Sequence, residues 1–109
     1  MAKITPTPPE KRTEIYWKEL NKVIDPEINI GIVDLGLVYQ VKIDKKGNCK
    51  VIMTLTSPAC PVGPMIIKQV EDRMRLFKDL QNVNIEIVWD PFWTQELIDP
   101  EIRDLMFGF

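Results

Sequence analysis

Two runs of alternating apolar and polar residues, joined by the four residues Lys45-Lys46-Gly47-Asn48, constrain this chain most. The first run, Gly36 to Asp44, sets Leu37, Tyr39, Val41 and Ile43 against Gln40, Lys42 and Asp44. The second, Cys49 to Thr56, sets Val51, Met53 and Leu55 against Lys50, Ile52 and Thr54. A period of two is the strand period, and Gly47 or Asn48 can adopt the positive φ that a tight turn asks for. The pair is therefore predicted to be an antiparallel hairpin. A third run, Val83 to Asp90, sets Val83, Ile85, Ile87 and Trp89 against Asn84, Glu86 and Val88. Between the second and third runs, a helix is predicted to begin near Gly63 or Pro64, with Ile67, Val70, Met74 and Phe77 on one face. A strand–helix–strand unit closes as a right-handed crossover, so strands two and three are expected to run parallel.

Two further helices flank this unit. The first is expected over about Pro8 to Val23, with Thr7 as cap, Pro8 at the first helical position and Glu10 placed for a capping box. Its core face would carry Tyr16, Leu20 and Val23. The last follows Asp99-Pro100, where Asp99 is a good N-cap. The nine prolines fall at the ends of these segments and interrupt no periodic run. The predicted architecture is one α+β domain of order α-β-β-α-β-α, its helices packed on a small mixed sheet. A tail over 1–9 precedes the domain at 10–109, and the strand order is left open.

Composition removes several function classes. With 14 basic and 16 acidic residues in 109, the formal charge is −2, which argues against a nucleic-acid binder with a basic face. No apolar run approaches the roughly 18–20 residues of a membrane span. Met1 to Arg12 is polar and proline-rich, unlike a secretory signal. Histidine is absent, which removes the commonest neutral-pH base and every imidazole metal ligand. Cys49 and Cys60 are the only cysteines and read as reduced, cytoplasmic thiols. Isolated glycines make no phosphate loop, and no CxxC exists for a zinc or thioredoxin site.

The predicted topology gathers the remaining chemistry. The C-terminal ends of strands two and three and the N-terminal end of strand one fall at the same sheet edge. Three loops should meet there: Asp25 to Asp34, Thr56 to Pro64, and Asp90 to Thr94. They carry Asp25, Glu27, Asp34, Thr56, Ser57, Cys60, Asp90 and Trp93. Cys49 lies at the far end of its strand, about 23 Å away. A disulfide needs Cα atoms within about 7 Å, so a Cys49–Cys60 bridge is not expected. Cys60 sits just before a helix, whose unpaired N–H groups and dipole favour a thiolate; the competing reading is a small buried filler. Without that shared edge, Asp25 and Glu27 read as turn or capping residues ahead of site residues. Thr56 and Ser57 can donate to a ligand or satisfy loop carbonyls. Phe92 and Trp93 read as a lid on the core rather than a partner surface.

Three motifs carry a family resemblance. They are Val23-Ile24-Asp25-Pro26-Glu27 with Ile32-Val33-Asp34-Leu35-Gly36-Leu37-Val38-Tyr39, then Thr54-Leu55-Thr56-Ser57-Pro58-Ala59-Cys60-Pro61, then Trp89-Asp90-Pro91-Phe92-Trp93-Thr94. In this order and spacing the chain resembles the SufT- and PaaD-like domain over about residues 10 to 107. The resemblance implies an iron–sulfur cluster assembly factor that helps deliver clusters to client apoproteins and is not an enzyme. It maps the family's reactive cysteine onto Cys60, its acidic pair onto Asp25 and Glu27 and its hydroxyl pair onto Thr56 and Ser57, with Asp34 and Asp90 inside matching motifs. The implied partners are an iron–sulfur scaffold or P-loop carrier ATPase and client apoproteins, with a homodimer as one open arrangement. PaaD-like members carry further C-terminal cysteines that are missing here, which favours the general assembly reading.

One thiolate and no histidine fall short of the roughly four ligands a cluster takes. The expectation is therefore no stably bound cofactor, and Cys60 as a transient or shared ligand to iron or an iron–sulfur cluster. The alternative is a cysteine-dependent enzyme with Cys60 as nucleophile and Asp25 or Glu27 as base, a poor match unless burial raises the carboxylate pKa.

Overall fold

The computed structural model describes residues 4–26, 28–56 and 61–107. Strand β3 (Val38–Ile43) turns back through Gly47 into β4 (Asn48–Met53), and the two pair antiparallel. Gly47 takes the positive φ at 85°. The Asp44 carboxylate accepts from the backbone N–H of Lys46 and of Asn48 and from the Asn48 side chain at 2.8–2.9 Å. Helix α2 (Gly63–Met74) then carries the chain over to β5 (Asn82–Ile87), which pairs parallel with β4. The strand order is β3-β4-β5, so the sheet is mixed with β4 at its centre. Element types and directions agree with the expectation from periodicity, and Asp99 caps α3 (Pro100–Phe107) by accepting from the Glu101 N–H at 3.0 Å.

The first helix is shorter than expected. Residues Pro9–Lys11 form a single 3-10 turn, and α1 covers only Ile15–Leu20. Thr7 caps nothing. Its N–H donates to the Tyr39 carbonyl at 2.9 Å, which draws the chain into an extended path along β3. The Arg12 side chain turns back to the carbonyls of Thr7 and Val33, each at 3.0 Å, and its backbone leaves the helical region. Those contacts compete with helix continuation and win. Burial lowers the Arg12 pKa, and the neighbouring Asp99 and Asp34 pull it back up.

Packing divides between two faces. Leu20, Val23, Ile32, Leu35, Leu37, Val51, Met53, Ile66, Val70 and Met74 form one buried cluster beneath the helices. Trp17, absent from the expected helix face, is buried there too. On α2 the inward residue is Ile66 rather than Ile67, which is half-buried. In β3 the expected alternation slips: the register shifts between Val38 and Gln40, so that Val38, Val41 and Ile43 oppose Met53, Val51 and Cys49. Tyr39 is the extra residue of that bulge. It is fully buried but lies outside the helix-side cluster. An inserted residue reverses the phase of a period-two pattern, which is why Tyr39 leaves the face of Val41 and Ile43. Ile52 and Thr54 are also buried, although alternation placed them on the outer face.

A second, two-stranded sheet occupies a stretch expected to be loop. Strand β1 (Ile24–Asp25) pairs antiparallel with β2 (Ile30–Gly31). Asn29 turns the chain with φ at 65°, a conformation that asparagine tolerates.

Candidate functional site

Hydrogen bonds tie together the three segments that topology assigned to one sheet edge. Leaving β4, Thr54 donates its N–H to the Leu37 carbonyl at 2.8 Å, next to the start of β3. Leaving β5, Val88 donates to the Met53 carbonyl at 2.9 Å. The Trp93 indole donates to the Leu35 carbonyl at 2.6 Å. The first motif thus touches the second through Leu37 and Thr54, and the third through Leu35 and Trp93. The described ends of the three motifs are therefore in contact, while residues 57–60 of the second loop lie outside the described residues.

At this junction, Asp25 on β1 is 2% exposed, a deeply buried carboxylate-bearing residue. Thr56 is half-buried just beyond β4. Asp90 is exposed and precedes a cis peptide bond to Pro91. Trp93 is half-buried against the core cluster, as a lid would be. Phe92 is not a lid: it is 66% exposed. The Trp93 indole takes the Leu35 carbonyl, and Phe92 beside it faces solvent. Glu27, Ser57 and Cys60 lie outside the described residues.

Asp34 is engaged in holding the frame. Its carboxylate accepts from the Asn21 amide nitrogen at 3.0 Å, and its N–H donates to the Asn21 amide oxygen at 2.9 Å. Its carbonyl accepts the Asp99 N–H at 2.8 Å. These contacts join the end of α1, the turn after β2 and the start of α3. Asp34 also lines a cavity of about 200 Å³ with Arg12, Trp17, Asn21 and Asp99.

Three residues of this frame escaped the sequence reading. Asn21 and Arg12 carry no motif, and their partners are reached only through tertiary contact. Alternation makes Tyr39 a core residue, yet its hydroxyl donates to the Pro91 carbonyl at 2.9 Å and so anchors the third motif. Burial pushes its phenol up to about 12.

The second cysteine differs from the candidate. Cys49 is a free thiol, 1% exposed, beneath the helices at the hairpin end of β4, and burial pushes it up to about 11. A thiol so shielded is neither a ready nucleophile nor a ready ligand. Among the described residues no group of three His, Cys, Asp or Glu side chains is placed to hold a metal ion. No helix among them is long and apolar enough to cross a membrane.

The chain matches known proteins along most of this frame. A family model described as iron–sulfur cluster assembly protein matches residues 17–87. The Fe-S protein maturation auxiliary factor SufT of Staphylococcus aureus is 50% identical over 76 residues, which cover 70% of this chain and 86% of that protein. A conserved hypothetical protein of Thermotoga maritima superposes with a TM-score of 0.74 at 38% identity, covering all of both chains. A longer relative, an iron–sulfur cluster carrier protein of Synechocystis, is 27% identical over 75 residues, only 21% of its own length.

Proposed function

The chain belongs to the iron–sulfur cluster assembly protein family, and from that premise we propose that it serves as a maturation auxiliary factor, helping to deliver clusters to client apoproteins. The observation that carries this reading is the half-identical match to a protein named for that role, over most of both chains. The Cys60 thiolate is the proposed chemical handle. It stands three residues ahead of the 12-residue helix α2 in sequence, where helix N–H groups favour an anion. Asp25, Glu27, Thr56 and Ser57 would orient the incoming partner group, with Asp34 and Trp93 fixing the junction around them and Asp90 at its exposed rim.

The donor set fits a shared cargo better than a resident one. A cluster takes roughly four thiolate or equivalent ligands. This chain has no histidine and only two cysteines, and Cys49 is sealed in the core. Iron or a cluster is thus held transiently, between Cys60 and thiols of a second chain. The factor acts by transfer and does not turn over a small substrate. Its place of work is the cytoplasm, and its partners are a scaffold or P-loop carrier ATPase and the clients. Support for the carrier comes from the longer carrier protein in which the matching segment is one part of a single chain, since joining two modules raises their effective concentration.

The test is complementation of a cell lacking its native factor. Wild type should restore client iron–sulfur enzyme activity, and Cys60→Ser should not. Full rescue by Cys60→Ser would remove the thiolate from the mechanism. Cys60-dependent turnover in a thioester hydrolysis screen would replace the transfer role with an enzymatic one.

A further inference from the structure

The third motif presents an exposed aromatic between two fixed neighbours. Phe92 is 66% exposed. On one side the Pro91 carbonyl is held by the buried Tyr39 hydroxyl at 2.9 Å. On the other the Trp93 indole is held by the Leu35 carbonyl at 2.6 Å. Exposing a phenyl ring wins nothing from folding, yet a buried and a half-buried hydrogen-bond donor anchor the residues on either side of it. A preorganised aromatic loses little entropy on docking, and such residues are the usual anchors of interfaces.

Charge gives the tip a preferred partner. The described stretches 23–26, 28–41, 51–56 and 87–102, which meet at the junction, contain no Lys or Arg, with Lys22 and Arg103 just beyond them in sequence. The opposite end of the sheet carries Lys42, Lys45, Lys46 and Lys50, together with Asp44 and with Glu86, which pairs with Lys50 at 3.9 Å. Near the junction Arg12 faces Asp34 and Asp99. Asp90 and Glu96 on either side of Phe92 are exposed and have no ion-pair partner among the described residues. The surface beside Phe92 is thus locally acidic.

We infer that Phe92, flanked by Asp90 and Glu96, is the docking tip for a protein partner that offers an apolar pocket rimmed by Lys and Arg. Resting on the transfer reading above, this partner is the iron–sulfur carrier. The ring supplies the anchor, and the carboxylates steer and orient the encounter. Docking there seats the carrier beside Thr54 to Thr56, the described start of the second motif.

The test is binding of the purified carrier protein to the full chain by interferometry at low and high salt. Phe92→Ala should weaken binding at least about tenfold, with Phe92→Leu recovering part of the loss. Asp90→Asn with Glu96→Gln should slow association and flatten its salt dependence. Lys45→Gln with Lys46→Gln, at the far end, should change neither affinity nor folding. Carrier binding that survives Phe92→Ala unchanged would overturn the docking tip while leaving the transfer reading intact. No binding by wild type would overturn the carrier as partner, and the tip with it. Loss of ferrous ion binding, measured anaerobically, in Asp90→Asn with Glu96→Gln while carrier binding stays whole would make the acidic edge a cation site and overturn the proposal.

Discussion

The hydroxyl of Tyr39 donates to the carbonyl of Pro91 at 2.9 Å, across 52 residues of chain. Tyr39 reaches that carbonyl because the bulge in β3 turns it off the helix side of the sheet. One irregular strand position therefore fixes the loop that carries Asp90, Phe92 and Trp93.

Tyr39→Phe keeps the ring and deletes only that bond. The expected loss is about 1 kcal/mol, the usual net value of a hydrogen bond. Urea unfolding would measure it. Amide hydrogen exchange should quicken for Phe92 and Trp93 and stay slow in β4, because the loop loses its anchor while the sheet keeps its ladder.

Alkaline pH should weaken the fold in two stages. Burial raises Cys49 from 9.0 to about 11 and Tyr39 from 10.0 to about 12. Each raised group contributes stability that is complete below its unfolded pKa and is lost as pH rises through the folded one. The urea midpoint should fall between pH 9 and 12. Cys49→Ala should flatten the lower part of that fall and Tyr39→Phe the upper part.

Gly36 should not accept a side chain. Its φ is 78°, and a Cβ there would run into the Leu97 carbonyl. Gly36→Ala should therefore cost more than about 2 kcal/mol, combining left-handed strain with a backbone clash. A thermal midpoint within a degree or two of wild type would show that the two segments separate easily.

The two thiols should react at different rates. Cys49 is buried, and its pKa is raised. Alkylation at pH 7 followed by mass spectrometry should label Cys60 first. Cys60→Ser should change stability by no more than about 1 kcal/mol. Equal labelling, or a loss of several kcal/mol, would favour the filler reading of Cys60.

Local pattern determined the three-stranded sheet and the last two helices, though not the length of α1 or the β1–β2 pair. The alternating runs, the Gly47 turn, the helix after Gly63 and the Asp99 cap depend on neighbours within a few residues, so the sequence displays them directly. The antiparallel hairpin and the parallel crossover follow from chain geometry, and so does the shared edge of the three motifs. The tertiary structure decided what depends on distant partners. Pro8 and Thr7 read as a helix start, but Tyr39 and Val33 offered Thr7 and Arg12 better hydrogen bonds. A single inserted residue at Tyr39 reversed a face, because strand periodicity has no tolerance for a slip of one. Asp34 stands among the site candidates, and its pairing with Asn21 is a contact that only the tertiary structure supplies. Phe92 and Trp93 are adjacent and both aromatic, so composition cannot separate them. The Leu35 carbonyl does, by taking one ring inward and leaving the other to solvent.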